Sequence, residues 1–319
     1  MSSFRPTQVP PGRLVRLGIV LDARNSSDRL REVARMCDRA GIDALWVHDD
    51  LAPAARQSRL EAWTALVLAG VDSQRTRMGA MLDVALRPAS TLAAMARTLD
   101  AALSGRLEVG FTSRLPNGGA GASRGDPVSS ADRARRVKDY GAIVRGLVAA
   151  ESNGPPLWIE MWAPPDAAAA VEVADNVLVP AMAINEIRAA IEQVGTACAA
   201  TGRDPSSLGI GVELPVSIGR TSAEARARAD AEGLFQTIGH SMAVGLFGTL
   251  EQCQSRVIEL AHLGITDLHC VLPNTADVQD VIAQLTAIAV GTTQVLTPNA
   301  PRSRAPAPPE GWGGRRPGQ

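Results

Sequence analysis

Apolar positions in this chain fall into short runs that alternate with stretches of helical spacing, and the segment from Thr76 to Ser113 shows the unit best. Met78 to Leu86 is an apolar run too short for an amphipathic helix and suited to a strand buried on both faces. Arg87-Pro88 breaks it, because proline fixes its own φ and pushes the preceding residue towards extended geometry. Leu92, Met95, Ala96, Leu99 and Leu103 then recur at helical spacing, which predicts a helix over 89–103. Ser104-Gly105 ends it, and Leu107, Val109 and Phe111 alternate into a second strand. A strand, a helix and a strand of this length make a right-handed parallel crossover.

The same rhythm runs through the rest of the chain. Strands are predicted at 14–21, 44–47, 157–161, 177–179, 208–218 and 268–272, in addition to the two above. Helices are predicted at 26–40, 61–69, 129–148, 166–174, 185–200, 221–232, 251–262 and 277–289, with Pro116 to Asp126 as a flexible loop. Eight strands alternating with helices predict an α/β fold, a single (β/α)8 TIM barrel. An open doubly wound sheet is the rival, but Asp22-Ala23-Arg24-Asn25 follows the first strand where such a sheet would carry GxGxxG. The organisation read from these patterns is an N-terminal extension at 1–13, the barrel at 14–295 and a disordered Pro/Gly/Arg-rich tail at 296–319.

Composition narrows the function classes without naming one. A net charge of −1 gives no electrostatic case for nucleic acid or an anionic membrane as partner. Cys37, Cys198, Cys253 and Cys270 lie far apart with no CxxC pair, which favours reduced thiols over a disulfide frame or a zinc site. The first residues lack an apolar core of the signal-peptide kind, and no stretch reaches the ~18 apolar residues of a membrane span. The expectation is a soluble, cytoplasmic protein.

Chemistry on such barrels sits at the C-terminal ends of strands. The polar residues there are Asp22, His48-Asp49-Asp50, Asp83 with Arg87, Thr112-Ser113-Arg114, Glu160 with Trp162, Glu213, and His269 with Asn274. Strand side chains alternate, so His48 and Asp50 share one side and Asp49 faces the other. A histidine beside a carboxylate is a proton carrier near neutral pH, which nominates His48 and Asp50 as catalytic. The structural alternative gives these charges to a helix cap or an ion pair with Arg56 or Arg59, and Asp83 to Arg87. Asp22, Glu160, Glu213 and His269 are candidate substrate contacts, against core packing of Trp158 and Trp162 and a satisfied barrel histidine. His48, Asp49, Glu160 and His269 lack metal-ligand spacing, so no metal site is expected.

Several segments, in this order and spacing, resemble the bacterial luciferase-like family of flavin- and deazaflavin-dependent oxidoreductases. They are AGIDALWVHDDL (40–51), EAWTALVLAG (61–70), RTRMGAMLDVALRPASTLAAMARTLDAALSGRLEVGF (75–111) and DRARRVKDYGAIVRGL (132–147). GRDPSSLGIGVELPVSIGRTSAEARARA (202–229) and FGTLEQCQSRVIELAHLGITDLHCVLP (247–273) complete them. The resemblance implies a barrel homodimer with FMN in its mouth, or alternatively coenzyme F420, acting on a small organic substrate. With FMN it implies a monooxygenase served by a separate flavin reductase; with F420, a hydride-transferring reductase or dehydrogenase. FMN is favoured because the acid some members carry after strand four is absent here. The ring is expected across His48, Asp50, Met81, Leu82 and Asp83, with Thr112 and Ser113 as hydrogen-bond donors and a non-proline cis peptide near Met81-Leu82. The phosphate is expected by Trp162, Ala163 and Asp166, where amides opening a helix attract an anion. Two competing readings are a cofactor-free barrel serving as a binding or dimer-partner subunit, and a metal-dependent barrel lyase or hydrolase.

Overall fold

A computed structural model of the chain describes residues 7–11, 13–21, 26–49, 60–112, 129–149, 154–231, 244–272 and 278–296. Its first half runs β1 (Arg16–Leu21), α1 (Ser27–Ala40), β2 (Ala44–His48), α2 (Ala62–Val71), β3 (Arg77–Asp83), α3 (Ala89–Ala102), β4 (Leu107–Thr112) and α4 (Ser130–Ala149). The second half runs β5 (Leu157–Glu160), α5 (Pro164–Val173), β6 (Asn176–Val179), α6 (Ile184–Thr201), β7 (Gly209–Ile218), α7 (Ser222–Ala231), β8 (Leu246–Gly248), α8 (Leu250–His262), β9 (Asp267–Val271) and α9 (Val278–Leu296). Every strand pairing is parallel, and the order β1 to β7, then β9, then back to β1 closes an eight-stranded TIM barrel.

All eight expected strands are present, each within about two residues of its predicted bounds except the end of β3. β8 is an addition. It pairs only with Val216–Ile218, where β7 runs on past its last contact with β9 at Pro215, so it lies outside the closed barrel. Three residues are too few to show a period. α9 continues to Leu296 rather than ending near Ala289, because Thr292 and Thr293 are buried and Thr293 returns its hydroxyl to the Ala289 carbonyl at 3.2 Å. No described helix is long and apolar enough to cross a membrane.

Alternation along each strand divides the core into two layers. Leu17, Ile19, Leu45, Val47, Ala80, Leu82, Val109 and Phe111 point outward under the helices. Val20, Ala44, Trp46, Met81, Trp158 and Leu178 point inward. Trp46 of β2 and Trp158 of β5 meet at a centroid distance of 5.5 Å, edge to face, although two strands separate them, so they meet across the barrel interior. Trp46 is admitted by Gly79, its register partner on β3, where a Cβ would come inside 3.0 Å of the indole.

Polar groups close the N-terminal end of the barrel. Arg16 bridges Glu108 of β4 at 2.7 Å and Asp267 of β9 at 2.5 Å; Arg77 and the Trp158 indole N–H also reach Glu108, at 2.6 and 2.9 Å. Thr7, in the segment read as an N-terminal extension, donates its backbone N–H to Asn176 at 2.9 Å and so belongs to this seal. Among the described residues, the N-terminal end of the interior is therefore closed.

Candidate active site

The upper interior is lined by inward residues near the ends of several strands: His48 on β2, Met81 and Asp83 on β3, Thr112 on β4, Glu160 on β5 and Glu213 on β7. His269 of β9 lies one layer down, in register with Glu213 on one side and Gly18 on the other. Side chains in register on neighbouring strands stand about 5 Å apart. Four residues nominated from sequence thus converge: His48, Glu160, Glu213 and His269.

His48 Nδ1 lies 3.6 Å from Glu213 Oε2. Glu160 is nearly inaccessible and accepts hydrogen bonds from the side chains of Thr112 and Trp162. Burial, reinforced by the charge of Glu213, raises its carboxyl above the usual range; His48 and the two donors oppose this without reversing it. His269 is pushed the other way, well below the usual imidazole value, by burial first and then by the charges of His48 and Arg16. It is held neutral between Trp46 and Trp158, at centroid distances of 4.6 and 5.0 Å. Its Nδ1 is buried with no hydrogen-bond partner. The expected satisfied barrel histidine is therefore half satisfied, with ring contacts and an open nitrogen.

Other nominated residues have different surroundings. Asp49 does face away from His48, and it forms the ion pair expected of Asp83: Arg87 binds Asp49 and Glu61 together. Asp83 instead accepts from the Ala85 amide at 2.8 Å and donates its own amide to Asp49 at 3.2 Å. Burial is the main cause that raises its carboxyl, with Asp49 adding to it. Leu82 points into the outer layer and offers the mouth only backbone. No peptide bond among the described residues is cis; β3 keeps regular register with β4 through Leu82↔Phe111 and Asp83↔Thr112. Asp22, Asp50, Ser113, Arg114 and Asn274 lie outside the described residues, as do Arg56, Arg59 and the 116–126 loop.

The expected phosphate position is filled from within. The amides of Trp162 and Ala163, which open α5, both donate to Asp166 Oδ2 at 2.8 Å. Asp166 is buried, and that burial raises its carboxyl despite the two amides and Arg133. A phosphate arriving there would have to displace a carboxylate that already uses the helix dipole.

Sequence reasoning assigned no place to Trp46, the floor of the site, or to the Arg16–Glu108–Asp267 network beneath it. The second had a signal, since charged residues inside apolar strands need partners wherever they stand. Among the described residues no group of three or more His, Cys, Asp or Glu side chains is disposed to hold a metal ion.

Residues 15–263 match the family model of luciferase-like monooxygenases. No curated protein matches the chain by sequence. Among solved structures, the coenzyme F420-dependent tetrahydromethanopterin reductase from Methanopyrus kandleri superposes with a TM-score of 0.68 at 16% identity, over 87% of this chain and 99% of that one. An F420-dependent secondary alcohol dehydrogenase, solved with an F420–acetone adduct, gives a TM-score of 0.72 at 15% identity, over 86% and 99%. A riboflavin lyase, solved with modified FMN and riboflavin, gives 0.68 at 12% identity, over 86% and 91%. At these identities the superpositions establish the barrel fold alone.

Proposed function

Because the chain belongs to the luciferase-like monooxygenase family, we propose that it is an oxidoreductase working through a redox ring held in the barrel mouth. The observation that carries this reading is the convergence of His48, Glu160 and Glu213 at the C-terminal end, above a floor of buried tryptophan. The donor set suits the edge of such a ring. His48 brings a ring nitrogen, Glu213 an acceptor, and Met81 is apolar, while the Thr112 and Trp162 donors are spent on Glu160. The amides opening α5 are not the place for the ring's phosphate, since Asp166 holds them.

We propose FMN as the ring and oxygenation of a small organic substrate as the reaction; bound FMN supplies two-electron chemistry with dioxygen. A second reading, hydride transfer with coenzyme F420, is favoured by the two F420-dependent structural neighbours. In either case His48 moves a proton at the mouth, with Glu213 orienting its Nδ1. Glu160, fixed by Thr112 and Trp162, holds a proton in reserve beside it. Trp46, Trp158 and the sealed base keep water from entering beneath. A second copy of the chain and, for FMN, a separate flavin reductase are the partners of this reading. Val67 and Val71, exposed on α2, support the first.

Parallel titrations with FMN and F420 test the proposal, with His48→Ala as the companion variant. The expected result is saturable binding of one ring, unchanged in the variant, with turnover lowered by about 10²–10⁴-fold. If neither ring binds the full-length protein, the oxidoreductase reading fails.

A further inference from the structure

The mouth is rich in acceptors. The titratable groups facing its upper interior among the described residues are His48, Asp83, Glu160 and Glu213, with His269 one layer down and the Arg16 guanidinium beneath it, close enough to act on that imidazole. Arg87 stands on the other side of the strand and is held by Asp49 and Glu61, while Arg133 acts on Asp166. Glu213 lies close enough for its charge to raise the Glu160 carboxyl. A carboxyl pair alone can satisfy itself by sharing one proton. His269 is a separate observation. It is 1% exposed, projects into the same interior in register with Glu213, and leaves Nδ1 without a partner. A neutral imidazole has one donor and one acceptor nitrogen, so this group too has an unused hydrogen-bonding site.

We propose that this mouth binds a protonated amine, with the ammonium group of a small organic substrate between Glu160, Glu213 and His269. An ammonium carries three N–H donors on one centre and no acceptor, which complements two carboxylates and an imidazole nitrogen. Trp162, 40% exposed at the rim and already bonded to Glu160, offers an aromatic surface of the kind that attracts such cations. A carboxylate ligand meets the opposite condition, since two like charges would already stand where it must go. An alcohol brings a single donor and no charge. Because Glu160 is biased towards its protonated form, seating the cation expels a proton, and affinity weakens as pH falls.

This inference rests on the mouth being the substrate site and not on which ring works there. The experiment is a ligand-observed NMR titration of the full-length protein with n-butylammonium, n-butanol and butanoate, three probes of one size and different charge. We expect n-butylammonium to bind about tenfold or more tightly than n-butanol, the scale of a hydrogen bond to a charged group, and butanoate to bind weakest. Glu213→Gln, at a partly exposed side chain where folding is least at risk, should remove most of the preference for n-butylammonium over n-butanol. Equal affinities, tighter butanoate, absence of ammonium binding, or a preference that survives Glu213→Gln each overturns the proposal. FMN and F420 titrations on the same preparation separate the two conclusions. Ammonium preference without ring binding refutes the oxidoreductase reading alone, and ring binding without ammonium preference refutes this one.

Discussion

Arg87 joins two pieces of chain that sequence separates: the Asp49 carboxylate just past β2 and Glu61, which caps α2 by accepting from the Trp63 and Thr64 amides at 3.1 and 2.7 Å. The Asp49 side chain is wholly buried, and Arg87 is its ion-pair partner there. Arg87→Met should therefore destabilise the protein by about 3–5 kcal/mol, the cost of leaving a buried carboxylate unpaired. Urea unfolding measures this, and Arg87→Met combined with Asp49→Leu should recover most of the loss. A recovery no better than the single variant would mean that the pair does not act as one unit. His48, on the opposite face of the same strand end, is left to the mouth.

β3 shows how one element sets the shape of the site. Gly79 and Met81 face inward between Trp46 and Gly110, and the two glycines leave room for the large side chains beside them: a Cβ on Gly110 would collide with Met81. Neither position depends on unusual backbone torsion; each is a matter of volume. Gly79→Ala should cost about 1–3 kcal/mol through overpacking against Trp46. In the Trp46→Phe background, where the smaller ring frees space, the same change should cost clearly less. Thermal unfolding of the four proteins checks it, and additive losses would count against the contact. The floor of the mouth would shift with Trp46, so cofactor or amine binding should change in that background as well.

For the molecule as a whole, a network of buried charges seals the base of the barrel. Burial raises Asp267 to about 6, with Glu108 adding to it, although Arg16 lies at 2.5 Å and opposes the shift. Glu108 goes the other way: burial works to raise it, but Arg16 and Arg77 hold it below the usual range. For Asp267 the folded value exceeds the unfolded one, so the fold favours the protonated form. Its contribution is fully present below the ordinary carboxylate range and is lost as pH rises through about 6. The stability of wild type relative to Asp267→Asn should then move in favour of wild type between pH 7 and pH 4, as measured by denaturant unfolding at each pH. A constant difference would mean that Asp267 does not titrate differently on folding.

The chain's own pattern determined the architecture, because a parallel barrel needs strands buried on both faces and helices at regular intervals, and both are local features of composition and period. It also marked His48, Glu160, Glu213 and His269, since a polar residue inside an apolar strand stands out without any knowledge of its neighbours. What it left undecided was pairing. Asp83 and Asp49 look alike beside Arg87, and only the side each faces assigns the guanidinium. The amides at Trp162 and Ala163 read as an open anion site until Asp166 is seen to close it. Trp46 is an ordinary strand residue until Gly79 and Trp158 come against it. These facts depend on closure of the barrel, which brings β2 against β5 and β1 against β4 across the interior; contacts of that kind join positions far apart in sequence and leave no periodic trace along it.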